Sequence, residues 1–530
     1  MRGSQSSQSD EVPGCPSSIA KLNADSLADN PHELQCTNAI TVVAYSPRDH
    51  MYSEEKLKDA YSRIDRDISK HIGSTRKLLM QPSSSQQDIG IEKCAELVAR
   101  MYRNAGCEKV EIVETKGNPV VQGECRGDSD KTVLAYFMYD TMPFNEPGWN
   151  HPAMGAKIVD MNLPAGKVKS IVNRGADNTK GPLAAFLNSI EACSKSVGRP
   201  PCNLILVAEG EEELGSPNLP DYVKKNKKRL SMADACYFPY FAQDPDGART
   251  LMLGVKGVVY FELECSGKLW GRGPEEFAVH SSSKAWLDSP VWRFIHALKT
   301  MTSDDGNRVL IDGFYDDVAP PTKEDEEVIS EAAKTWNPKT AKEAMKVSKF
   351  IIPETDREKL IKLYSFTSTL NIDGIWGGWI EKGSKTVLPH KVTCKIDIRV
   401  VPNQKKDDMM PLVRRHLDRH GYKDIKMTEV DTGYDWCRCS VKEPVVQAMI
   451  RSQEAFGGRP QVWPTSGGSV PFFVFNRILG MPFTMGGIGH SDLAHSPNEY
   501  MVVEGNKKIA GLKDIEKFMV RFLSEYAGSE

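Results

Sequence analysis

No stretch of this sequence approaches the roughly 18 consecutive apolar residues that a membrane-spanning helix needs. Its opening, MRGSQSSQSDEVPGCPSS, lacks the apolar segment of a signal peptide. The expectation is a soluble, cytoplasmic protein, with a secreted mature form as the alternative. Charge of one sign is also missing: 68 Lys and Arg stand against 71 Asp and Glu, a net charge of −3. No strong field therefore draws the chain to nucleic acid or to a membrane, and a small molecule is the expected partner. The 12 cysteines show no paired units of zinc-ribbon spacing. Most read as buried thiols, Cys94 and Cys236 among them. Cys15 and Cys36, in a polar N-terminal extension, could form a disulfide in an oxidising compartment, whereas Cys437 and Cys439 are too close in sequence for an easy bridge. There is no repeat of solenoid period, and low complexity is confined to Ser/Gln-rich stretches at 4–9 and 83–87.

With 530 residues the chain can bury a large core in two to four domains. Ile91, Cys94, Leu97, Val98, Met101 and Tyr102 recur at helical spacing, and Asn104-Ala105-Gly106 ends that helix before an alternating strand from Val110 to Val113. Apolar runs at Thr132 to Met138, Asn203 to Ala208 and Asp234 to Phe238 predict buried strands. A helix from Gly181-Pro182 to about Ser196 lies between the first two of these runs. This pattern predicts an α/β fold with a mainly parallel sheet flanked by helices, whose strand ends are where ligands gather. From Gly257 the texture changes. Val258 to Cys265 and Val392 to Val401 alternate, around a long charged helical region at 323–363, as an antiparallel sheet with helices on one face would. The expected division is an N-terminal extension at 1–55, a catalytic α/β domain at 56–256 and 459–530, and an inserted α+β lid or dimerisation domain at 257–458.

Two motifs carry chemistry. EGEEELGS at 209–216 places adjacent carboxylates directly after an apolar strand, and HSPNE at 495–499 supplies a late histidine in a turn. Together they could provide a catalytic base and metal ligands. Alone, EGEEE would read as a solvated acidic helix start and His495 as a hydrogen-bonded turn histidine.

Further motifs appear in order: GNPVVQGE at 117–124, YDTMP at 139–143, NRGADNTKGP at 173–182, AVHSSS at 278–283, NIDGIWGG at 371–378, KIDIRVVPNQ at 395–404, SGGSVP at 466–471 and AHSPNEY at 494–500. From about residue 60 to 528 this order resembles the zinc metallopeptidase family of carnosine dipeptidases, aminoacylases and succinyl-diaminopimelate desuccinylase. The resemblance implies two metal ions bridged by an aspartate, a His-x-Asp motif, a later acidic ligand, and a glutamate pair whose first member is the general base. Carried over, Glu212 is the base, and Glu213 and His495 are metal ligands. Asp140 supports the ligands from behind, and Asp177 lies next to the bridge. His280 is the lid histidine that reaches a partner's site, Asn371 and Arg399 hold a substrate carboxylate or oxyanion, and Gly468 and Ser469 form the turn at the substrate's C-terminal end. The chain departs from the pattern at Met138, Asn178 and Tyr240, which stand where the His-x-Asp histidine, the bridging aspartate and the later acidic ligand belong. Thr465-Ser466 also replace the usual Arg-Glu. A thioether and a neutral phenol are poor partners for zinc, and an amide is a weak bridge. The expected metal site is therefore degenerate, with Glu213, His495 and Asn178 as a weak remnant.

Three readings follow. The first is a repurposed enzyme without a cofactor, in which Glu212, Tyr240, His495 and His280 run acid–base chemistry on a small amino-acid-derived substrate: a cyclisation, condensation, elimination or rearrangement near a C–N bond. The second is a single-metal dipeptidase or N-acyl-amino-acid amidohydrolase with one Zn or Mn. The third is a non-catalytic ligand-binding dimer. A homodimer through the inserted domain is expected in each, with Val258 to Cys265 and Trp286 to Met301 as its strand and helix. His490, His151 and Asp177 are reserve candidates for a shifted site.

Overall fold

The computed structural model describes residues 52–529, so Cys15, Cys36 and most of the N-terminal extension lie outside the described residues. The apolar runs form a six-stranded sheet in the order Lys109–Val113, Val120–Cys125, Cys202–Glu209, Ser129–Met138, Ala235–Phe238, Phe483–Met485. The last four strands are parallel, and the first two are antiparallel additions at one edge. Helices cover the parallel strands, so both strand faces must be apolar; every residue from Val133 to Met138 is accordingly buried. Helices Glu54–Met80, Lys180–Val197 and Leu512–Ala527 pack against one another beside this sheet. Helix Ile91–Asn104 ends where its sequence indicates, next to strand Lys109–Val113.

The alternating segments form a second, fully antiparallel sheet in the order Thr369–Gly377, Lys391–Val400, Gly257–Ser266, Lys426–Glu429. Helices Pro290–Met301 and Lys406–Arg419 bury their apolar faces against it. The segment containing Val258 to Cys265 is thus an interior strand rather than a dimer edge. The edges are Thr369–Gly377 and the short Lys426–Glu429, roles that sequence alternation cannot assign because edge and interior strands alternate alike. The charged region at 323–363 becomes helices Lys323–Thr335, Pro338–Met345 and Arg357–Phe366. The first and third of these pack on Trp463 rather than on the second sheet.

The chain also returns to the first core before residue 458. Cys437–Arg438 pairs with Gly254–Val255, and helix Pro444–Ala455 buries Val445, Val446 and Met449 among first-core residues. A third, antiparallel sheet joins Ser491–Asp492, Tyr500–Glu504, Gly166–Val172 and Lys157–Leu163. HSPNE falls in the connection between its first two strands. Cys107 and Cys125 are disulfide-bonded, a pairing that spacing alone does not reveal. Cys94, Cys236, Cys437 and Cys439 are free and buried.

Candidate active site

Parallel pairing brings two chain segments to one sheet end, with Met138 opposite Glu209 in the ladder. Asp140 lies two residues beyond Met138 and is fully buried. Its carboxylate accepts the backbone N–H groups of Glu212 at 3.2 Å and Glu213 at 3.0 Å, and the Ser85 hydroxyl at 2.7 Å. Asp140 therefore clamps the turn that presents the glutamate pair. Burial, and then the Glu213 charge, push its carboxyl up to about 7. Met138 itself is buried in the first core, where its unbranched thioether fills apolar volume.

Burial, followed by the charges of Glu213, Asp140 and Glu209, raises the Glu212 carboxyl well above the ordinary carboxylate range. A carboxyl held this way can give a proton as well as take one. The phenol beside it is Tyr434, not Tyr240. Tyr434 donates to the Glu212 carbonyl oxygen at 3.1 Å and meets the Ser216 hydroxyl at 3.3 Å. Ser216 in turn donates to Glu209 at 3.0 Å, and Tyr136 donates to the same carboxyl oxygen. Tyr434 arrives from the end of the inserted segment, more than 200 residues away, so local spacing carried no sign of it. Glu209 was legible only as the first letter of EGEEE. Tyr240 packs against the first core beside Phe238, at 6.0 Å between ring centroids, and burial raises its phenol further above neutrality.

Asn178 stands between Glu213 and His495. Its amide nitrogen donates to Glu213 Oε1 at 2.7 Å and lies 2.8 Å from His495 Nε2, while His495 Nε2 is 3.4 Å from Glu213 Oε2. A neutral imidazole accepts from the amide; a protonated one turns to the carboxylate. The Glu213 hydrogen bond raises the His495 pKa against the opposing effect of burial. Position 178 is held by Glu499, which the sequence reading did not single out although it closes HSPNE. This fully buried carboxylate accepts the backbone N–H of Asp177 and Asn178, each at 2.9 Å, that of Gly175 at 3.0 Å and the Arg174 guanidinium at 2.8 Å. Asp177 accepts the Ser491 hydroxyl at 2.5 Å, and burial pushes its carboxyl up to about 6.

Ser491 also lines a cavity of about 530 Å³, together with Tyr240, Gly468, Ser469 and the reserve candidate His490. The cavity thus adjoins the Asp177–Asn178 segment. His490 is buried and engaged on both ring nitrogens, by the Gln243 carbonyl at 2.7 Å and the Tyr500 hydroxyl at 2.9 Å. Arg399 reaches the cavity wall from the inserted sheet: its Nη1 donates to Ser469 Oγ at 3.0 Å and its Nε to Asp397 at 2.9 Å. The Asn371 amide donates to Asp397 and Asp373. His280 does not join these groups. It is exposed, with one ring nitrogen 2.8 Å from Ser282 Oγ and the other 2.9 Å from Thr386 Oγ1.

At the positions where the resemblance implies ligands, the donor set does not fit a pair of ions. One half of the site offers a thioether in the core and a neutral phenol, and the bridge position offers an amide whose NH₂ already faces both neighbours. Among the described residues, no group of three or more His, Cys, Asp or Glu is arranged to hold a metal. Glu213 and His495 remain as two suitable donors, enough for one weak ion only if Asn178 turns its oxygen inward.

Residues 139–523 match the model of peptidase family M20/M25/M40. The chain belongs to this family. It is 26% identical to the Cys-Gly metallodipeptidase dug1 of Schizosaccharomyces pombe over 84% of this chain and 92% of that protein. It is 27% identical to the human Beta-Ala-His dipeptidase over 74% of this chain and 76% of that one. Among solved structures, the M20 family metallo-carboxypeptidase Sso-CP2 from Sulfolobus solfataricus superposes with a TM-score of 0.75 at 31% identity, covering 86% of this chain and 99% of that one. The catalytic and inserted sheets described above are thus those of an M20 peptidase fold.

Proposed function

We propose that this M20 protein is an enzyme acting at the amide bond of a dipeptide-sized, amino-acid-derived substrate, with Glu212 moving the proton. The observation that carries this reading is the placement of Glu212: a buried carboxyl on a turn clamped by Asp140, at the sheet end that adjoins the cavity lined by Gly468 and Ser469. Hydrolysis is the preferred reaction, because relatives covering most of the chain are named as dipeptidases. In it, Glu212 takes a proton from the attacking water and returns it to the leaving nitrogen. Arg399 and Ser469 hold the substrate's carboxylate end.

One observation favours a second reading, namely non-hydrolytic acid–base chemistry near a C–N bond without a metal pair. The Asn178 amide nitrogen lies against both Glu213 and His495, where a cation-binding centre would present oxygen. The two readings part in one experiment. The purified protein is assayed with Cys-Gly, β-Ala-His and N-acyl amino acids, with chelator and with added Zn²⁺ or Mn²⁺, alongside Glu212→Gln. Release of the free amino acid, reduced about 10²–10⁴-fold in Glu212→Gln with an unchanged unfolding midpoint, supports hydrolysis. Substrate consumption without release of an amino acid transfers the assignment to the second reading. A fully active Glu212→Gln protein overturns both.

We also infer a homodimer through the inserted domain. Its support is the exposed apolar surface of the edge strand, with Ile372 at 44% and Ile375 at 51% exposure, and of helix Pro290–Met301, with Trp292 at 57%. In such a dimer His280 has a route to the partner's site.

A further inference from the structure

We propose that Lys256, beside Arg399 at the Ser466–Ser469 turn, binds a second anionic group of the substrate, so that the site selects dipeptide-sized substrates with an acidic C-terminal residue. The proposal deepens the reading above and rests on it for the size of the substrate. Lys256 is only 5% exposed. Its ammonium gives one hydrogen bond, to the Thr367 carbonyl at 2.8 Å, and stands 5.9 Å from the centroid of the Tyr364 ring. An ammonium has three donors, so two are uncommitted to protein partners. Among the described residues no carboxylate forms an ion pair with it. A buried charge left without a counter-ion is costly, and the groups that tie it down here are neutral. Burial, and then the like charge of Arg399, lower its pKa to about 8. The Thr367 carbonyl and the Tyr364 ring hold the ammonium without neutralising its charge.

The backbone of Lys256 runs along the turn that borders the cavity. The backbone N–H of Lys256 donates to the Ser466 carbonyl at 3.2 Å, and Val255, Ser466, Gly468 and Ser469 all line the cavity. Gly467 lies against Tyr364 so closely that an added Cβ would sit 2.9 Å from its ring. Arg399 bonds to Ser469 on the same turn. Its Nε is engaged by Asp397, and Asp397 is shared with Asn371, so that carboxylate is not available to Lys256. A dipeptide ending in a neutral residue brings one carboxylate, which meets Arg399, whose charge Asp397 already offsets in part. One ending in glutamate or aspartate has two, and binding it supplies the counter-ion that Lys256 lacks.

The test is calorimetric binding of Gly-Glu and Gly-Gln to the full-length protein and to Lys256→Met, Lys256→Gln and Lys256→Arg. The wild type is expected to bind Gly-Glu at least about tenfold more tightly than Gly-Gln, a difference of about 1.4 kcal/mol. Lys256→Met loses that preference while Gly-Gln affinity changes by less than about twofold, and Lys256→Arg keeps it. If Lys256→Met does not fold, as judged by its unfolding midpoint, Lys256→Gln carries the comparison. Equal weakening of both ligands, unchanged Gly-Glu affinity, or no measurable wild-type binding of either overturns the proposal. Turnover is scored separately: tight, Lys256-dependent binding of Gly-Glu without turnover refutes the proposed activity and leaves this subsite standing.

Discussion

The glutamate-pair end of the sheet and the Ser466–Ser469 turn depart in different ways from the pattern the sequence resembles: the turn is preceded by Thr465-Ser466 in place of Arg-Glu, and the sheet end has neutral groups at 138, 178 and 240. At the turn, Arg399 meets Ser469 and the polar groups fit the recognition of a substrate carboxylate. At the sheet end, Asp140 clamps the turn of Glu212 and Glu213, and the Asn178 amide lies between Glu213 and His495. On the proposed roles, recognition and reaction vary separately. A guanidinium on a rigid strand needs only one anionic partner, whereas a metal pair needs several charged donors converging at once, and each neutral replacement removes a large share of the binding.

The strongest way to break this comparison is to rebuild the missing donors. Met138→His, Asn178→Asp and Tyr240→Asp in one protein should raise bound zinc, by elemental analysis, from less than one equivalent to two per chain. Two equivalents in the unaltered protein would erase the contrast between the two regions. A smaller effect separates the two tyrosines. Tyr434→Phe should lower turnover by about tenfold or more, because it removes the hydroxyl between Glu212 and Ser216, while Tyr240→Phe should lower it less. The reverse order in steady-state kinetics would return Tyr240 to the centre of the site.

The mildest test concerns pH. Burial pushes the Glu209 carboxyl from 4.5 up to about 8. An acid raised on folding stabilises the fold fully below its unfolded value, and that contribution is lost as pH rises through the window up to its folded value. Denaturant melts should therefore show this contribution falling between about pH 4.5 and 8, and Glu209→Gln should flatten the slope. An unchanged slope would detach Glu209 from the network behind Glu212.

Legibility in the sequence followed the range of the interaction. The buried strands at 129–138 and 202–209 could be read because parallel strands covered on both faces must be continuously apolar. The glutamate pair could be read because it follows such a strand at once. The edge of the second sheet could not, because alternation is the same at an edge and in the interior. Nor could the packing of the helices at 323–366 on Trp463, which depends on a partner a hundred residues further along the chain.

By itself, then, the sequence determined the α/β class, and it offered Glu212 as a base and 138, 178 and 240 as altered ligand positions, since each follows from residue type and local order. Only the tertiary structure decided that Tyr434 rather than Tyr240 attends Glu212, that Glu499 holds the Asn178 loop, that Asn178 bridges Glu213 and His495, and that Lys256 lies buried at the Ser466 turn. Those contacts join segments far apart in the chain. A hydrogen bond reads distance and direction in space, and no sequence period encodes either.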